Sequence, residues 1–463
     1  MISLTIKEIA DIVGGTSVNI DEKKIITESP EIDSRKVTAD NYFIALPGER
    51  VDGTDFAKEA IRAGASFVLM TTDLGIPAII VKDSLMALQQ LAKEVRARMN
   101  DCTFIGITGS HGKTTTKDLL GHILPIAGKS VVPRGSFNNE IGVPLTILQC
   151  TDETKYCVLE MGARHIGDIT ALTKIGAPQI GVVLVVGSAH VGEFGNSQGI
   201  AQAKGELIAS LQSDGVAILG TYDSYSPKMQ SKPGVKRVLF GENPECNVRA
   251  ADIEFREGRA HFDLVAASGR APVALRLLGM HQISNALAAA AVALEVGISI
   301  ESVAAALSTA EISSKWRMEL HDLHELLFIN DSYNANPESV SAALRTLVLL
   351  TQERGGSSWA FLGKMHELGE SEAEEHLTIG RLASELGVDH LVSVGTDLYL
   401  NGLELSHLAG DEMSTHYALT QEEAVRFLRH IEEGDVLLIK ASRAEHLDEL
   451  SEKLIAGWQV KYE

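Results

Sequence analysis

A glycine-rich stretch at residues 103–116, TFIGITGSHGKTTT, carries the residue types that bind a polyphosphate. Backbone N–H groups in such a loop point at phosphate oxygens, Lys113 adds a full positive charge, and the Thr114 hydroxyl can bind Mg²⁺. The two glycines of the turn stand at positions 109 and 112, so the spacing is a shortened variant of the common GxxxxGK[ST] motif. The stretch predicts that the chain binds ATP or GTP.

Two further polar residues, Glu160 and His190, each follow an apolar run that is typical of a β-strand. In open α/β sheets the ligand crevice lies at the carboxyl ends of the strands, so both side chains are expected to face the phosphate loop. Either residue alone is most often a solvated loop residue. The pair beside a phosphate loop favours a functional interpretation.

Other candidates have an equally good structural interpretation. Lys204 lies in a predicted amphipathic helix at 199–208, where the pattern alone indicates an ordinary surface lysine. Asn285, in the first turn of a predicted helix at 284–296, either reaches a ligand or helps to cap the helix. The polar loop at 330–336 is either a ligand site at a strand end or a turn. Ser34 and Arg35 form either an anion-binding fork or plain surface.

These residues need a framework of alternating strands and helices to position them. The length of 463 residues suggests roughly three domains. We expect a small N-terminal α/β domain at 1–84, a central phosphate-loop domain with a largely parallel sheet at 85–314, and a Rossmann-like C-terminal α/β domain at 315–463. The segment between about 220 and 270 is expected to be less regular. The predicted fold class is therefore three-domain α/β.

Composition narrows the function classes. The formal net charge of −21 argues against a general nucleic-acid or anionic-membrane binder, because phosphates repel such a surface. The apolar runs are far shorter than a bilayer requires, and the first residues lack the pattern of a secretory signal. The four cysteines have no disulfide-framework or zinc-site spacing and are expected to be small buried residues. We expect a cytoplasmic protein.

Several motifs in one order resemble the Mur ligase family over essentially the whole chain. The most specific are TGSHGKTT at 108–115, NNEIGVP at 138–144 and DSYNANPES at 331–339; GMHQxxNAL at 279–287 and WRME at 316–319 agree as well. The resemblance implies an ATP-dependent amide ligase. It would join D-alanyl-D-alanine to UDP-N-acetylmuramoyl-tripeptide through an acyl phosphate, acting as a monomer.

The resemblance also implies roles for individual residues. The catalytic residues would be Lys113, Glu160, His190, Lys204 and Arg317. Thr114 and Glu160 would bind one Mg²⁺, and His190 with Lys204, carbamoylated by CO₂, would support a second. ATP would contact Gly109, Ser110, His111, Gly112, Lys113, Thr114, Thr115, Asn285, Arg317, Asp331, Tyr333, Asn334 and Asn336. The other substrates would contact Ser34, Arg35, Asn138, Asn139, Lys440, Ser442 and Arg443.

The chain departs from the family pattern at a few positions. Family members commonly carry His at position 54, Thr-Asn at 184–185, Asn at 220, Asp at 364 and Gly at 441, where this chain has Thr54, Leu184-Val185, Gly220, Lys364 and Ala441. None of these departures removes a phosphate-loop or metal residue. Lys364 and Ala441 lie in the domain expected to receive the amine, so they bear on the second substrate.

Three alternatives remain open. A sister ligase would keep the chemistry and change the amine, although the Asp-Asn-Pro-Arg motif of the members that add a diamino acid is absent from the third domain. A nucleotide-binding regulator would have lost metal residues, yet Glu160, His190 and Lys204 are all present. A generic phosphate-loop transporter ATPase fits the glycine spacing least well.

Overall fold

The computed structural model describes residues 1–48, 51–187, 191–311, 314–323, 325–401 and 413–462. Within these residues the chain forms three α/β domains, each built around its own main sheet, which confirms the predicted fold class. The four cysteines are buried and free, as predicted. No helix in the described ranges combines the length and apolarity needed to cross a membrane.

The first domain is made of short elements. They are β1 (Leu4–Thr5), α1 (Ile6–Val13), β2 (Thr16–Val18), β3 (Ile25–Ile26), β4 (Pro30–Glu31), β5 (Tyr42–Ile44), α2 (Ala57–Ala63), β6 (Val68–Met70) and β7 (Ala78–Ile80). The main sheet has the order β2-β7-β6-β5-β4, and β1 pairs with β3. A capping box between Thr5 and Glu8 starts α1, and Gly14, with a left-handed φ of 60°, ends it.

Helix α3 (Ser84–Arg98) leads into the central domain. This domain contains β8 (Thr103–Thr108), α4 (Lys113–Ile123), β9 (Ser130–Val131), α5 (Gly142–Ile147), β10 (Tyr156–Glu160), α6 (Asp168–Gly176), β11 (Ile180–Val183), α7 (Val191–Phe194), α8 (Ser197–Ser210), β12 (Val216–Gly220), β13 (Lys236–Gly241), β14 (Val248–Arg256), β15 (Arg259–Ala266), β16 (Gly269–Leu278), α9 (His281–Glu295) and α10 (Ile300–Thr309).

The central sheet has the order β16-β15-β14-β13-β12-β11-β8-β10-β9 and is parallel from β9 to β14. Helices α4, α9 and α10 pack on one face, and α3, α5 and α6 pack on the other. Strand β8 lies between β10 and β11, with Ile107 paired to Glu160 and Thr108 paired to Val183. The ends of these strands therefore lie beside the phosphate loop.

The expectation of a less regular segment at about 220–270 holds for residues 221–235, which contain only a short 3-10 turn, and is wrong for the rest. Strands β13, β14, β15 and β16 follow from residue 236 onwards, and the last three form an antiparallel extension of the sheet. Along β16 buried and exposed positions alternate, with Ala271, Val273 and Leu275 inward. The alternation is hard to recognise because apolar Pro272 and Ala274 occupy outward positions, which weakens the polarity contrast.

The third domain is another mainly parallel sheet. Its elements are β17 (Glu319–Leu323), β18 (Leu326–Asn330), α11 (Pro337–Arg354), β19 (Ser358–Leu362), α12 (Glu372–Glu385), β20 (His390–Val394), β21 (Ser414–Ala418), α13 (Gln421–Val425), β22 (Val436–Lys440) and α14 (Leu447–Tyr462). The strand order is β17-β18-β22-β19-β20-β21, with β17 the antiparallel edge. Strands β18 and β22 pair in parallel, so their carboxyl ends bring Asn330 and Lys440 to the same edge of the sheet.

Candidate active site

A cavity of about 740 Å³ lies between the carboxyl ends of the central strands and the third domain. The phosphate loop, the end of β10, the buried face of α8 and the loop after β18 all contribute to its wall. The structure brings these predicted site residues to the cavity: Ser110, His111, Gly112, Lys113, Thr114, Thr115, Asn138, Asn139, Glu160, Lys204, Asn285, Arg317, Asp331, Tyr333, Asn334, Asn336 and Lys440.

The remaining predicted residues lie elsewhere. His190 falls outside the described residues. Gly109, Ser442 and Arg443 are not among the residues on the cavity wall, and neither are Ser34 and Arg35 of the first domain. Arg35 is exposed, and its Nε donates to Oδ1 of Asp33 over 2.8 Å.

The phosphate loop has a backbone that only glycine fits well at one position. Gly112 has a φ of +84° and immediately precedes α4. A Cβ atom there would lie 2.3 Å from Oδ1 of Asn285 and 3.2 Å from Cδ1 of Leu184. The loop is thus pressed against α9, and the first amides of α4 point into the cavity, where they favour an anion.

The ammonium group of Lys113 is held inside the loop. Its Nζ donates to the carbonyl oxygen of Gly109 over 2.6 Å. Burial lowers the pKa of Lys113, the negative charge of Glu160 opposes that shift, and the positive charge of Arg317 adds to it. A cation in this environment is poised to gain electrostatic energy when a polyphosphate enters.

Glu160 provides a buried carboxylate at the end of β10. It is only 1% exposed, and it accepts hydrogen bonds from the Thr114 hydroxyl, at 3.2 Å, and from Nδ2 of Asn138, at 3.1 Å. Ser136, which the sequence reasoning missed, lies 3.2 Å from the Thr114 hydroxyl. Hard oxygen donors are therefore concentrated next to Lys113.

Lys204 is not a surface lysine, so the interpretation from its pattern alone is wrong. The residue is 2% exposed and lies on the buried face of α8 with Ile200, Leu207 and Ile208. Burial lowers its pKa well below the ordinary value, and the positive charge of Lys113 lowers it further. Both effects favour the neutral amine over the ammonium at this position beside the phosphate loop.

Arg317 reaches from the third domain to the phosphate loop. Its Nη2 donates to the Thr114 hydroxyl over 3.0 Å and to the Ser136 hydroxyl over 3.3 Å. The guanidinium carbon lies 4.2 Å from the ring centre of Tyr333, a distance suited to cation–π stacking. The buried Nε has no hydrogen-bond partner among the described residues.

Lys440 organises the loop that follows β18. Its Nζ forms an ion pair of 2.5 Å with Asp331 and donates to the carbonyl oxygen of Asn334 over 2.8 Å. The other carboxylate oxygen of Asp331 accepts from the N–H of Met318. Asn336 caps α11 by accepting from the N–H of Ser339. These contacts anchor the loop, which presents Tyr333 and Asn334 to the cavity.

Side-chain hydrogen bonds link three residues at the start of α9 to one another. Nδ2 of Asn285 donates to Oε1 of Gln282 over 2.9 Å, and Nε2 of Gln282 lies 3.0 Å from Nε2 of His281. Because the Gln282 amide nitrogen is a donor, Nε2 of His281 acts as the acceptor. Gln282 and His281 line the cavity, as do Arg164 and His165, and sequence reasoning assigned none of these four a role.

Acid is expected to destabilise the protein partly through His281. Burial lowers the pKa of His281 to about 3, and the charges of His111 and Lys440 act in the same direction. Between an unfolded pKa of about 6.5 and that value, the unfolded chain binds a proton that the folded protein does not, so stability falls as the pH falls. In thermal unfolding at pH 7 and pH 5, His281→Gln should lose less stability on acidification than the parent, and an equal loss in the two proteins would contradict this role of His281.

The contact made by Arg317 predicts a specific loss of activity. Arg317→Lys keeps the charge but removes the planar fork that reaches Thr114 and stacks on Tyr333. We expect the turnover number to fall about 10²-fold, since one positioned donor contributes about that much to transition-state stabilisation. Arg381→Lys, on the exposed surface of α12, is the matched control. Equal activity of the two variants would contradict a role for the fork.

Comparison with known proteins gives a consistent result across the chain. Residues 30–99 match the Mur ligase family catalytic domain, residues 107–293 the Mur ligase middle domain, and residues 316–443 the Mur ligase glutamate ligase domain. The chain is 40% identical to the UDP-N-acetylmuramoyl-tripeptide--D-alanyl-D-alanine ligase of Mycobacterium tuberculosis, with 98% of each chain covered.

Solved structures agree with these matches. A crystal structure of MurF from Acinetobacter baumannii has a TM-score of 0.87 at 33% identity and covers 98% of this chain and 99% of that one. MurF from Thermotoga maritima, in complex with ADP, has a TM-score of 0.78 at 27% identity and covers 94% and 99%. With a full-length relative at 40% identity and family matches in all three domains, the chain belongs to the Mur ligase family.

Proposed function

We propose that this chain is an ATP-dependent, ADP-forming ligase that joins D-alanyl-D-alanine to UDP-N-acetylmuramoyl-tripeptide. The product is the UDP-muramyl-pentapeptide used in peptidoglycan synthesis. The observation that carries the proposal is the contact of Arg317 with Thr114 beside Lys113 and Glu160, in a chain that aligns along its length with ligases of this name.

The reaction has two displacements. The terminal carboxylate of the tripeptide attacks the γ-phosphorus of ATP, ADP leaves, and an acyl phosphate forms. The amine of the dipeptide then attacks the acyl carbon, and inorganic phosphate leaves from the tetrahedral intermediate. Phosphoryl transfer of this kind depends on positioning and on positive charge rather than on a protein nucleophile.

The cavity supplies that positive charge. Lys113 and the first amides of α4 hold the β- and γ-phosphates, and Arg317 neutralises charge that develops during transfer. Because Arg317 belongs to the third domain and hydrogen-bonds to the loop, its seating also closes the cavity over the acyl phosphate. Closure excludes water, which would otherwise hydrolyse that intermediate.

Thr114 and Glu160 fit a Mg²⁺ ion by their chemistry. A hydroxyl and a carboxylate are the hard oxygen ligands that Mg²⁺ prefers. The described residues contain no cluster of three or more acidic, histidine or cysteine side chains that could hold a metal, so phosphate oxygens and water would complete the ligand set. When bound, Mg²⁺ neutralises phosphate charge. A second Mg²⁺ would use His190 and Lys204.

Lys204 is proposed to act as a carbamate. A neutral amine attacks the carbon of CO₂, and loss of one proton leaves a carboxylate on the side chain. The buried position of Lys204 and the direction of its pKa shift favour the neutral amine that this addition requires. The modification would convert a buried amine beside Lys113 into an anion able to support the second Mg²⁺.

The remaining roles follow the family pattern. Asn285, Asp331, Tyr333, Asn334 and Asn336 would surround the adenosine. Ser34 and Arg35 would contact the uridine diphosphate, and Asn138 and Asn139 the muramyl peptide. Lys440, Ser442 and Arg443 would serve the incoming dipeptide. We further propose a cytoplasmic monomer with domains at 1–84, 85–314 and 315–463.

Phosphate release tests the proposal. The full chain is incubated with ATP, Mg²⁺ and UDP-N-acetylmuramoyl-tripeptide, and with either D-alanyl-D-alanine or single amino acids. Release should require the tripeptide and should be fastest with the dipeptide. A chain that no amine accelerates is not a ligase, and one that prefers a single amino acid is a different member of the family.

A further inference from the structure

A second groove lies beside the active-site cavity, between α3 and α6. It has a volume of about 290 Å³, and its lining is Met86, Gln89, Gln90, Lys93, Glu140, Ala171, Leu172, Lys174 and Ile175. Glu140, Ala171 and Leu172 also line the active-site cavity, so the two spaces adjoin and share part of their walls. The roles proposed above leave this groove without an occupant.

The floor of the groove suits a chain of methylene groups. Leu172 and Ile175 are buried side chains of α6, at 3% and 8% exposure, and Met86 of α3 is 56% exposed beside them. Exposed methionine is adaptable and gains free energy when an aliphatic group covers it. The groove is therefore built for a short aliphatic segment rather than for a sugar or a base.

Two lysines, one from each helix, add positive charge to the groove. Lys93 lies on α3 and Lys174 on α6, and both are exposed. In the part of the chain that the structure describes, neither forms an ion pair, whereas their neighbours Arg98 and Asp168 do. The lining holds these two cations and one carboxylate, Glu140, on the wall shared with the active-site cavity. Its formal charge is therefore +1 in a protein of net charge −21, which favours an anionic group at the end of the aliphatic segment.

We infer that this groove binds the side chain of the third residue of the tripeptide and favours a side chain that ends in a carboxylate, as in diaminopimelate. The inference rests on the proposed function. That side chain leaves the carbon that bears the reacting carboxylate, so its subsite must open directly off the reaction cavity. A lysine side chain would instead bring a lone ammonium towards Lys93 and Lys174, and like charges disfavour it.

Steady-state kinetics with three tripeptide substrates test the inference. The third residue of the tripeptide is diaminopimelate, lysine or norleucine. Each substrate is tested with the parent and with the double variant Lys93→Met/Lys174→Met. The control is Lys228→Met, which removes an exposed lysine elsewhere in the central domain. The parent and Lys228→Met should prefer diaminopimelate. In the double variant its KM should rise about tenfold, equivalent to about 1.4 kcal/mol, with kcat within about twofold and the norleucine KM unchanged.

Two results would overturn the inference: a parent that prefers the lysine substrate, or a double variant whose KM changes equally for all three substrates. Both leave the ligase reaction intact. Failure of the proposed function has a different signature, because the parent would then release no phosphate with any of the three tripeptides.

Discussion

Replacement of Lys204 by alanine is expected to lower the turnover number for phosphate release by about 10²- to 10³-fold, the range for loss of one preorganised charge at a transferring group. ATP binding should change little, because Lys113 and the loop amides remain. A second variant, Lys204→Met, tests whether the loss of activity comes from unfolding. Because burial already disfavours the charged form of Lys204, Lys204→Met should unfold at or above the temperature of the parent.

Chemical rescue separates a carbamate from an amine at this position. If the working group is a carboxylate formed from CO₂, formate or propionate should restore part of the activity of Lys204→Ala, and methylamine should not. The parent should lose activity in CO₂-depleted buffer and regain it with bicarbonate. Rescue by methylamine alone, or full activity of Lys204→Ala, would show that the carbamate is wrong.

The sequence predicted the phosphate loop and its surroundings well because the information there is local. A strand, a glycine turn and a helix follow one another without interruption, and β8 and α4 lie where the pattern places them. Glu160 could be placed for a similar reason, since it ends a strand that pairs directly with β8. Parallel pairing carries the end of one strand to the end of its neighbour.

The sequence interpretation of Lys204 was wrong because it used the usual exposure of lysine and not the position of this residue on its helix. Positions 200, 203, 204, 207 and 208 are buried together on α8, and their spacing is that of one helix face. Lys204 lies in the middle of that apolar stripe. A lysine among Ile200, Leu207 and Ile208 indicates burial, and a buried lysine needs a chemical reason.

Contacts between domains could not be predicted in the same way. Arg317 and Thr114 are 203 residues apart, and nothing in either local pattern specifies the other.

Two departures from the family pattern are neighbours in the central domain: a Cβ atom on Gly220 would lie 2.1 Å from the carbonyl oxygen of Leu184. Lys364, a further departure, pairs with Glu372 of its own domain at 2.9 Å.

Gly112→Ala is expected to remove ATP binding through a single methyl group. The new Cβ would lie 2.3 Å from Oδ1 of Asn285, and Asn285 is tied to Gln282 by a hydrogen bond of 2.9 Å. Either the loop moves away from α9, or Asn285 gives up that hydrogen bond and its place on the cavity wall. A displacement of about 1 Å at a positioned site costs about 10²-fold in rate. We expect a loss of at least about that size in kcat/KM for ATP.

Gly297→Ala is the matched control, because Gly297 has nearly the same φ, +88° against +84°, in the turn that follows α9, and nothing lies within 4 Å of its Cβ position. Both variants should lose about 1–2 kcal/mol of stability from the left-handed backbone, measured by thermal unfolding. Only Gly112→Ala should also lose ATP binding in calorimetric titration. Equal ATP affinity in the two variants would mean that the loop tolerates the contact with Asn285, and the close packing of the loop against α9 would then not be what shapes the phosphate site.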